Sequence, residues 1–161
     1  MCSQEENMEV RCKVLRNEDS LKYREVRLES LRLHPECFGS GYEAQSKMPK
    51  LYFEGLIENN SQESVMIGAF TGDKLIGLCG LTPGGENSLE IIQMFVFSDY
   101  RGHGVGQKLL NEAKSILNLR PESNLKLTVF SDNVAAIKSY EKSCFTHVNS
   151  VENELLMTFE P

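Results

Sequence analysis

The clearest chemical signal in the sequence is a glycine-rich loop, Tyr100-Arg101-Gly102-His103-Gly104-Val105-Gly106-Gln107. It follows an apolar stretch that predicts a strand and precedes a stretch with helical periodicity. Glycines let a backbone turn sharply and approach a ligand closely. The amides of such a loop, together with the partnerless first amides of the helix, converge on one anion. Arg101 would add a charge-assisted contact, so the loop predicts a pyrophosphate site.

Two common phosphate-binding motifs do not fit this loop. The dinucleotide fingerprint GxGxxG would need its third glycine at one of two positions, which hold Gln107 and Leu109. The phosphate loop GxxxxGK also fails at Gln107. A glycine turn that serves only packing is the structural alternative. The position of the loop between a strand and a helix favours the anion site over it.

The composition excludes several classes of protein. The 17 Lys and Arg against 23 Asp and Glu give a net charge of −6, which argues against nucleic acid as a partner. No apolar run approaches the roughly 18 residues of a membrane span, and the acidic N-terminal residues predict no signal peptide. The five cysteines include no CxxC pair, which predicts reduced thiols and a cytoplasmic protein. The three scattered histidines predict no metal site.

Hydrophobic periodicity predicts one α/β domain over residues 1–161, with the element order βααβββαβαββ. The predicted strands are 9–16, 64–71, 74–82, 88–97, 125–130, 145–149 and 154–159. The predicted helices are 17–33, 43–59, 105–117 and 132–143, the last with Asp132 as its cap. The glycine loop therefore joins a central strand to a strongly amphipathic helix.

The glycine loop and a second motif resemble the GNAT acetyltransferase family. The acetyl-coenzyme A motif of that family reads R/Q-x-x-G-x-G/A after a strand, and Arg101, Gly104 and Gly106 fill its three positions. Further on, family members carry N-x-x-A-x-x-x-Y-x-K-x-G-F, which here runs from Asn133 to Phe145 with a cysteine at the usual glycine. The resemblance implies a GNAT acyl-CoA N-acyltransferase fold, a mixed central sheet of about seven strands flanked by about four helices.

The resemblance implies acetyl-CoA as the cosubstrate. In the family, the main chain of the strand before the loop pairs with the pantetheine arm, which corresponds here to Phe95 and Val96. The strand at 125–130 would splay from this central strand and leave a slot for the arm. The implied pyrophosphate contacts are Arg101, Gly102, His103, Gly104, Val105, Gly106 and Gln107.

Asn133 and Tyr140 are seven residues apart, so a helix would place them on one face, roughly 10 Å from each other. The resemblance gives Asn133 a hydrogen bond to the coenzyme arm and makes Tyr140 the proton donor to the leaving thiolate. A phenol with a pKa of about 10 can stabilise a thiolate with a pKa of about 8.5. The alternative for Tyr140 is a plain core position on an amphipathic helix.

Glu90 is the candidate general base, because an alkyl amine is protonated at neutral pH and must lose a proton before it attacks a thioester. Strand alternation predicts that Glu90 shares a face with Ile92, Met94 and Val96. Some family members carry a basic glutamate at this place. A solvated strand start is the alternative for Glu90, and Glu86 in the preceding turn is a weaker candidate base.

The acceptor pocket of the family lies between the first helical region and the central strands. The implied acceptor-side residues are Arg27, Leu31, Phe38 and Tyr42. For each of them, packing at a helix end is the alternative interpretation. Cys144 is disfavoured as a nucleophile, because no histidine partner is implied and the family transfers the acetyl group directly.

These observations predict an N-acetyltransferase that moves acetyl from acetyl-CoA to a primary amine of a small molecule or peptide, without metal, membrane or nucleic acid. A homodimer stays open. One alternative is a non-catalytic CoA-binding regulatory module, which would keep the loop and lose the acid and the base. A second alternative is a nucleotide-binding protein of another fold, which the failed fingerprints disfavour.

Overall fold

The computed structural model of the chain describes residues 9–34 and 41–161. The elements follow the predicted order except that the second predicted helix is divided into two, and seven strands form one mixed sheet. The strands are β1 (Arg11–Val14), β2 (Val65–Thr71), β3 (Lys74–Pro83), β4 (Ser88–Val96), β5 (Asn124–Phe130), β6 (Thr146–Val151) and β7 (Glu154–Phe159). The α-helices of the described part are α1 (Ser20–Leu33), α2 (Tyr42–Ser46), α3 (Tyr52–Glu58), α4 (Val105–Asn118) and α5 (Val134–Lys142).

The prediction of one helix over 43–59 is wrong, because the segment forms the two short helices α2 and α3. Pro49 lies between them, and proline lacks an N–H and disfavours helical backbone in the residue before it. The helix α3 begins at Tyr52, and its first turn contains Glu54, whose Oε1 accepts hydrogen bonds from the Leu51 amide at 2.9 Å and from Arg24 Nη1 at 2.8 Å. The Arg24 contact ties α3 to α1.

The sheet has the order β1-β2-β3-β4-β5-β7-β6, and every neighbouring pair is antiparallel except β4 and β5. The parallel pair is short: only Ser88–Glu90 of β4 lies beside Asn124–Lys126 of β5. Both strands continue for several residues without pairing to each other. This gap between β4 and β5 confirms the predicted splay.

Apolar side chains cover both faces of the sheet. On one face, here called the α4 face, α4 buries Val105, Leu109, Leu110, Ala113 and Leu117 against the central strands. On the other, the α1 face, α1 and α3 contribute Tyr23, Val26, Phe53 and Ile57. The strands between the two layers are therefore held from both sides, and the β4–β5 gap lies within a rigid frame.

Helix α5 begins at Val134, and its cap is Asn133 rather than the predicted Asp132. The Asn133 Oδ1 accepts a hydrogen bond from the Ala136 amide at 3.3 Å. Asparagine and aspartate cap helices equally well, so the sequence alone could not choose between the two neighbours. At the other end, Cys144 has φ 70°, the left-handed conformation that glycine adopts most easily.

Candidate active site

The glycine loop turns through two left-handed residues before α4 begins. Gly102 has φ 83° and Gly104, the N-cap of α4, has φ 78°. A left-handed backbone costs a residue with a Cβ about 1–2 kcal/mol, so glycine is favoured at both positions. His103 lies between them and is half-buried. The loop therefore has the tight double turn that the alternating glycines predict.

Six consecutive amides of this loop and helix start, from Gly102 to Gln107, have no hydrogen-bond acceptor within the residues that the structure describes. The amide of Arg101 bonds to Ser98 O, and that of Lys108 bonds to Gly104 O, so the run is bounded on both sides. A helix N-terminus leaves its first amides without partners and carries a partial positive charge. The arrangement suits a phosphate or pyrophosphate group.

The side chain of Arg101 lies across the end of β4. Its Nε donates to Val96 O at 2.9 Å, and its Nη2 lies 3.2 Å from His34 Nε2 at the end of α1. Arg101 is exposed, so its guanidinium can turn from these contacts to a bound anion at small cost. The residue thus links the glycine loop, β4 and α1.

The β4 main chain presents Val96 to the gap. The amide of Phe97 donates to Ile76 O of β3 at 3.1 Å. Main-chain groups of an antiparallel strand point alternately to either side, so those of Val96 turn away from β3 and toward the β4–β5 gap. By the same rule the main-chain groups of Phe95 face β3, and its ring is buried on the α1 face. Val96, rather than Phe95, is placed to pair with a ligand in the gap.

A β-bulge interrupts β4 just before this point. Leu78 lies opposite Phe95 whereas Gly80 lies opposite Ile92, so Gln93 and Met94 together face a single residue of β3. The extra residue reverses the alternation of side chains along the strand. Met94 lies next to the glycine loop, 3.8 Å from the position of a Cβ on Gly106. No residue pattern in the sequence predicts this bulge, and sequence reasoning missed Met94 as a site residue.

The bulge corrects the predicted surroundings of Glu90. Met94 and Val96 pack with the α4-face core, whereas Ile92 packs with the α1-face core. Glu90 alternates with the α4-face residues Leu89 and Ile91, so it lies on the α1 face. The prediction that Glu90 shares a face with Met94 and Val96 is wrong.

Glu90 itself lies where β4 and β5 begin to diverge. It pairs in register with Lys126 of β5, the last pair before the gap opens. Lys126 Nζ donates to Gly84 O at 2.6 Å, in the turn that leads into β4. Glu90 is half-buried, and its carboxylate has no hydrogen-bond or ion-pair partner in the described ranges. A carboxylate so placed is available to an incoming cation or to water.

Tyr140 lies on α5 against the α4-face core, with its ring 5.9 Å from the ring of Phe145. Burial raises the pKa of the Tyr140 phenol above its ordinary value of 10.0, and the nearby Cys79 thiol raises it further. Cys79 is on β3 opposite the bulge, so the phenol reaches the level of the gap. Its hydroxyl bonds to no group in the described part of the chain. It is therefore a neutral hydrogen-bond donor at this level.

Gln107 connects α5 to the glycine loop. Its Nε2 donates to Ser139 O at 2.9 Å and lies 3.2 Å from Ser139 Oγ, one residue before Tyr140. The side chain is thus engaged in the protein, which leaves its main-chain amide for an anion. Asn133 similarly uses Oδ1 as a helix cap and keeps its Nδ2 donors for other partners.

The predicted acceptor residues are brought together only in part. Arg27 and Leu31 are both buried on α1, and burial lowers the pKa of the Arg27 guanidinium. Tyr42 lies at the start of α2 and is 38% exposed. Phe38 lies outside the described residues. Sequence reasoning did not find the Tyr23 and Gln93 pair, joined by a 2.7 Å hydrogen bond between α1 and β4.

No group of three His, Cys, Asp or Glu side chains is arranged to hold a metal ion in residues 9–34 and 41–161. In the same ranges, no helix has the length and apolar character needed to cross a membrane.

The curated proteins that are similar in sequence match only part of this chain. An uncharacterized protein of Mycobacterium leprae is 29% identical over 110 residues, 66% of this chain and 29% of that protein. N-alpha-acetyltransferase 40 of Saccharomyces cerevisiae is 32% identical over 109 residues, 60% of this chain and 38% of that protein. The chain thus spans only about a third of the length of these curated relatives.

Among solved structures, the PaiA N-acetyltransferase of Thermoplasma acidophilum in complex with coenzyme A has a TM-score of 0.77 and 22% identity. The match covers 96% of this chain and 100% of that one, which shows a shared fold. The model of the acetyltransferase (GNAT) family matches residues 28–144, which include the glycine loop, the β4–β5 gap and Tyr140. The chain therefore belongs to the GNAT acetyltransferase family.

Proposed function

We propose that this protein is an N-acetyltransferase that moves the acetyl group of acetyl-CoA directly to a primary amine in a ternary complex. The observation that carries the proposal is the six-amide run from Gly102 to Gln107 beside an open β4–β5 gap. A pyrophosphate on the amides leaves its attached arm free to enter the gap along β4. The coenzyme A bound by the Thermoplasma protein, a member of the same fold, is consistent with this donor.

The arm enters as an added strand segment. The Val96 carbonyl faces the gap, so it can accept a hydrogen bond from an amide N–H of the pantetheine chain. The Val96 amide also faces the gap and stays available to the reacting carbonyl oxygen. Arg101 must then leave the Val96 carbonyl, and its guanidinium becomes available to the pyrophosphate. The Asn133 Nδ2 donors contact the arm from α5. Donor binding therefore uses the glycine loop, β4 and the α5 N-terminus together.

The reaction needs no covalent enzyme intermediate. The amine nitrogen attacks the thioester carbonyl carbon, a C–N bond forms, and the resulting oxyanion accepts a hydrogen bond from the Val96 amide. The C–S bond then breaks, and the sulfur leaves as a thiolate beside Tyr140. Since burial raises the pKa of Tyr140, the phenol stabilises the thiolate chiefly by hydrogen bonding rather than by complete proton transfer.

The amine approaches from the α1 face. Helices α4 and α5 cover the other face, where the arm and Tyr140 lie. Glu90 is on the α1 face where β4 and β5 begin to diverge, so it takes the amine proton directly or through a water molecule. The name of the yeast relative, an N-alpha-acetyltransferase, supports a peptide α-amine as one class of acceptor.

Ligand-dependent thermal unfolding tests the donor site. A ligand at about 100 times its Kd adds about 2.7 kcal/mol, which for a domain of this size raises Tm by about 5–10 °C. We expect acetyl-CoA and CoA to raise Tm, and ATP and NAD at the same concentration to leave it unchanged. No rise with CoA at millimolar concentration would overturn the proposal.

Tyr140→Phe distinguishes the enzyme from a non-catalytic CoA-binding module. The phenol bonds to nothing in the described residues, so its removal leaves the fold and the CoA-induced Tm shift intact. In an enzyme, thiol release from acetyl-CoA in the presence of primary amines should fall at least tenfold. Equal thiol release from both proteins would exclude Tyr140 as the group that stabilises the leaving thiolate, and no amine-dependent thiol release from either would favour the binding module.

A further inference from the structure

The β-bulge of β4 holds one side chain that the proposed mechanism does not use. Gln93 has φ 54°, a left-handed conformation that is unfavourable for a residue with a Cβ. Bulges commonly occur next to active sites, where they redirect a side chain. The strained backbone is maintained at the level where β4 no longer pairs with β5.

A buried tyrosine fixes the orientation of the Gln93 amide. Tyr23 is 1% exposed and its hydroxyl donates to Gln93 Oε1 at 2.7 Å. Burial raises the pKa of Tyr23, so the phenol stays protonated and continues to donate. With Oε1 held by Tyr23, the two N–H donors on Nε2 turn away from it.

The Nε2 donors are open to a ligand. They contact no acceptor in residues 9–34 and 41–161. Nε2 is also not one of the fully buried, unpartnered atoms of these residues, so solvent reaches it. Gln93 is half-buried on β4, three residues after Glu90, and it contacts α1 through Tyr23. The amide is thus oriented, accessible and beside the path of the incoming amine.

We propose, on the basis of the function proposed above, that Gln93 positions the acceptor by donating a hydrogen bond to a carbonyl oxygen close to the reacting amine. The acceptor class that fits is an α-amino amide, the chemistry of a peptide N-terminus. The carbonyl oxygen binds Nε2, the amine faces the thioester, and Glu90 takes its proton. Tyr23 acts through Gln93 and is a positioning residue.

Two probe amines test this assignment: phenylalaninamide, and phenethylamine, which lacks the carboxamide. Thiol release from acetyl-CoA gives kcat/KM for each amine. The ratio of kcat/KM for phenylalaninamide to kcat/KM for phenethylamine is then compared between proteins, which cancels the different basicity of the two amines. In Gln93→Glu, Tyr23 keeps an oxygen to donate to, but the Nε2 donors are lost. We expect the ratio to fall about fivefold, the equivalent of one neutral hydrogen bond.

Gln93→Met is the second variant, because it removes the donors without adding a charge. In both variants the KM for acetyl-CoA and the CoA-induced Tm shift should stay at wild-type values. A ratio that is unchanged in either folded variant, with both amines slowed equally, would overturn the assignment and leave Gln93 a structural role. A wild-type protein that binds CoA and acetylates neither amine nor any peptide N-terminus would overturn the proposed function, and this inference with it.

Discussion

The left-handed N-cap of α4 gives a prediction whose size follows from the backbone. Gly104 has φ 78° and ψ 11°, and a Cβ built on it meets no atom within 4 Å. Gly104→Ala therefore adds no clash, and its whole effect is conformational, about 1–2 kcal/mol. For a domain of this length, that lowers Tm by about 2–8 °C. Relief of the strain also turns the loop amides away from one another, so the CoA-induced Tm shift should shrink.

Gly106→Ala is the matched control. Gly106 lies in the first turn of α4 without a positive φ, and its nearest neighbour to an added Cβ is Met94 Cε at 3.8 Å. The same methyl group should leave Tm unchanged or raise it, since alanine is favoured over glycine in helices by about 1 kcal/mol. Gly104→Asn should lie between wild type and Gly104→Ala, because asparagine tolerates the left-handed region.

Thermal unfolding with and without CoA measures all three variants. The reasoning requires the order wild type, Asn, Ala at position 104 in both Tm and CoA-induced shift. If Gly104→Ala and Gly106→Ala have the same Tm and the same CoA shift, the left-handed turn does not build the anion site.

Cys144, Glu90 and Cys12 each provide one further prediction. Cys144→Gly should raise Tm by about 2–4 °C, because Cys144 has a left-handed backbone at the end of α5, where glycine avoids about 1 kcal/mol of strain. Its control, Cys144→Ala, should leave Tm unchanged. The same Tm in both variants would contradict the argument. Glu90→Gln should slow amine acetylation at least tenfold at neutral pH, with a smaller loss of rate at high pH and no change in the KM for acetyl-CoA. Its control is Glu86→Gln, the same charge change in the exposed preceding turn, which should have no effect. A loss of rate in the Glu90 variant that does not depend on pH would exclude Glu90 as the base. Burial raises the pKa of Cys12 to about 11 and that of Cys79 to about 12, from 9.0. Each protonated thiol therefore stabilises the fold below pH 9, and this contribution is lost as the pH rises from 9 toward those values. In urea unfolding, the free energy of unfolding should fall less between pH 8 and pH 10.5 in Cys12→Ala than in wild type, and an equal fall would contradict the assignment.

The sequence was informative wherever the cause of a structure is local. Alternating glycines predicted the double left-handed turn, because Gly102 and Gly104 occupy backbone conformations that other residues avoid. The apolar period of α4 predicted its buried stripe. The two motifs, which begin at Arg101 and Asn133, predicted the family that the comparison then showed.

Other features depended on contacts between distant segments. The bulge at Gln93 is stabilised by Tyr23, 70 residues earlier, and by the register of β3. No glycine marks it, so strand alternation placed Glu90 on the wrong face relative to Met94 and Val96. Because one added residue reverses every side chain beyond it, this single local change decided which side chains of β4 lie on the α4 face and which lie on the α1 face.

The sequence by itself thus determined the order of the strands along the chain, the left-handed turn of the glycine loop and the family of this protein, because each rests on local backbone preference or on a contiguous motif. Only the tertiary structure decided how far β4 and β5 stay paired, which face carries Glu90, and where the Gln93 amide is held. These depend on strand register and on a hydrogen bond between α1 and β4, and register is set by the packing of the whole sheet rather than by any one segment.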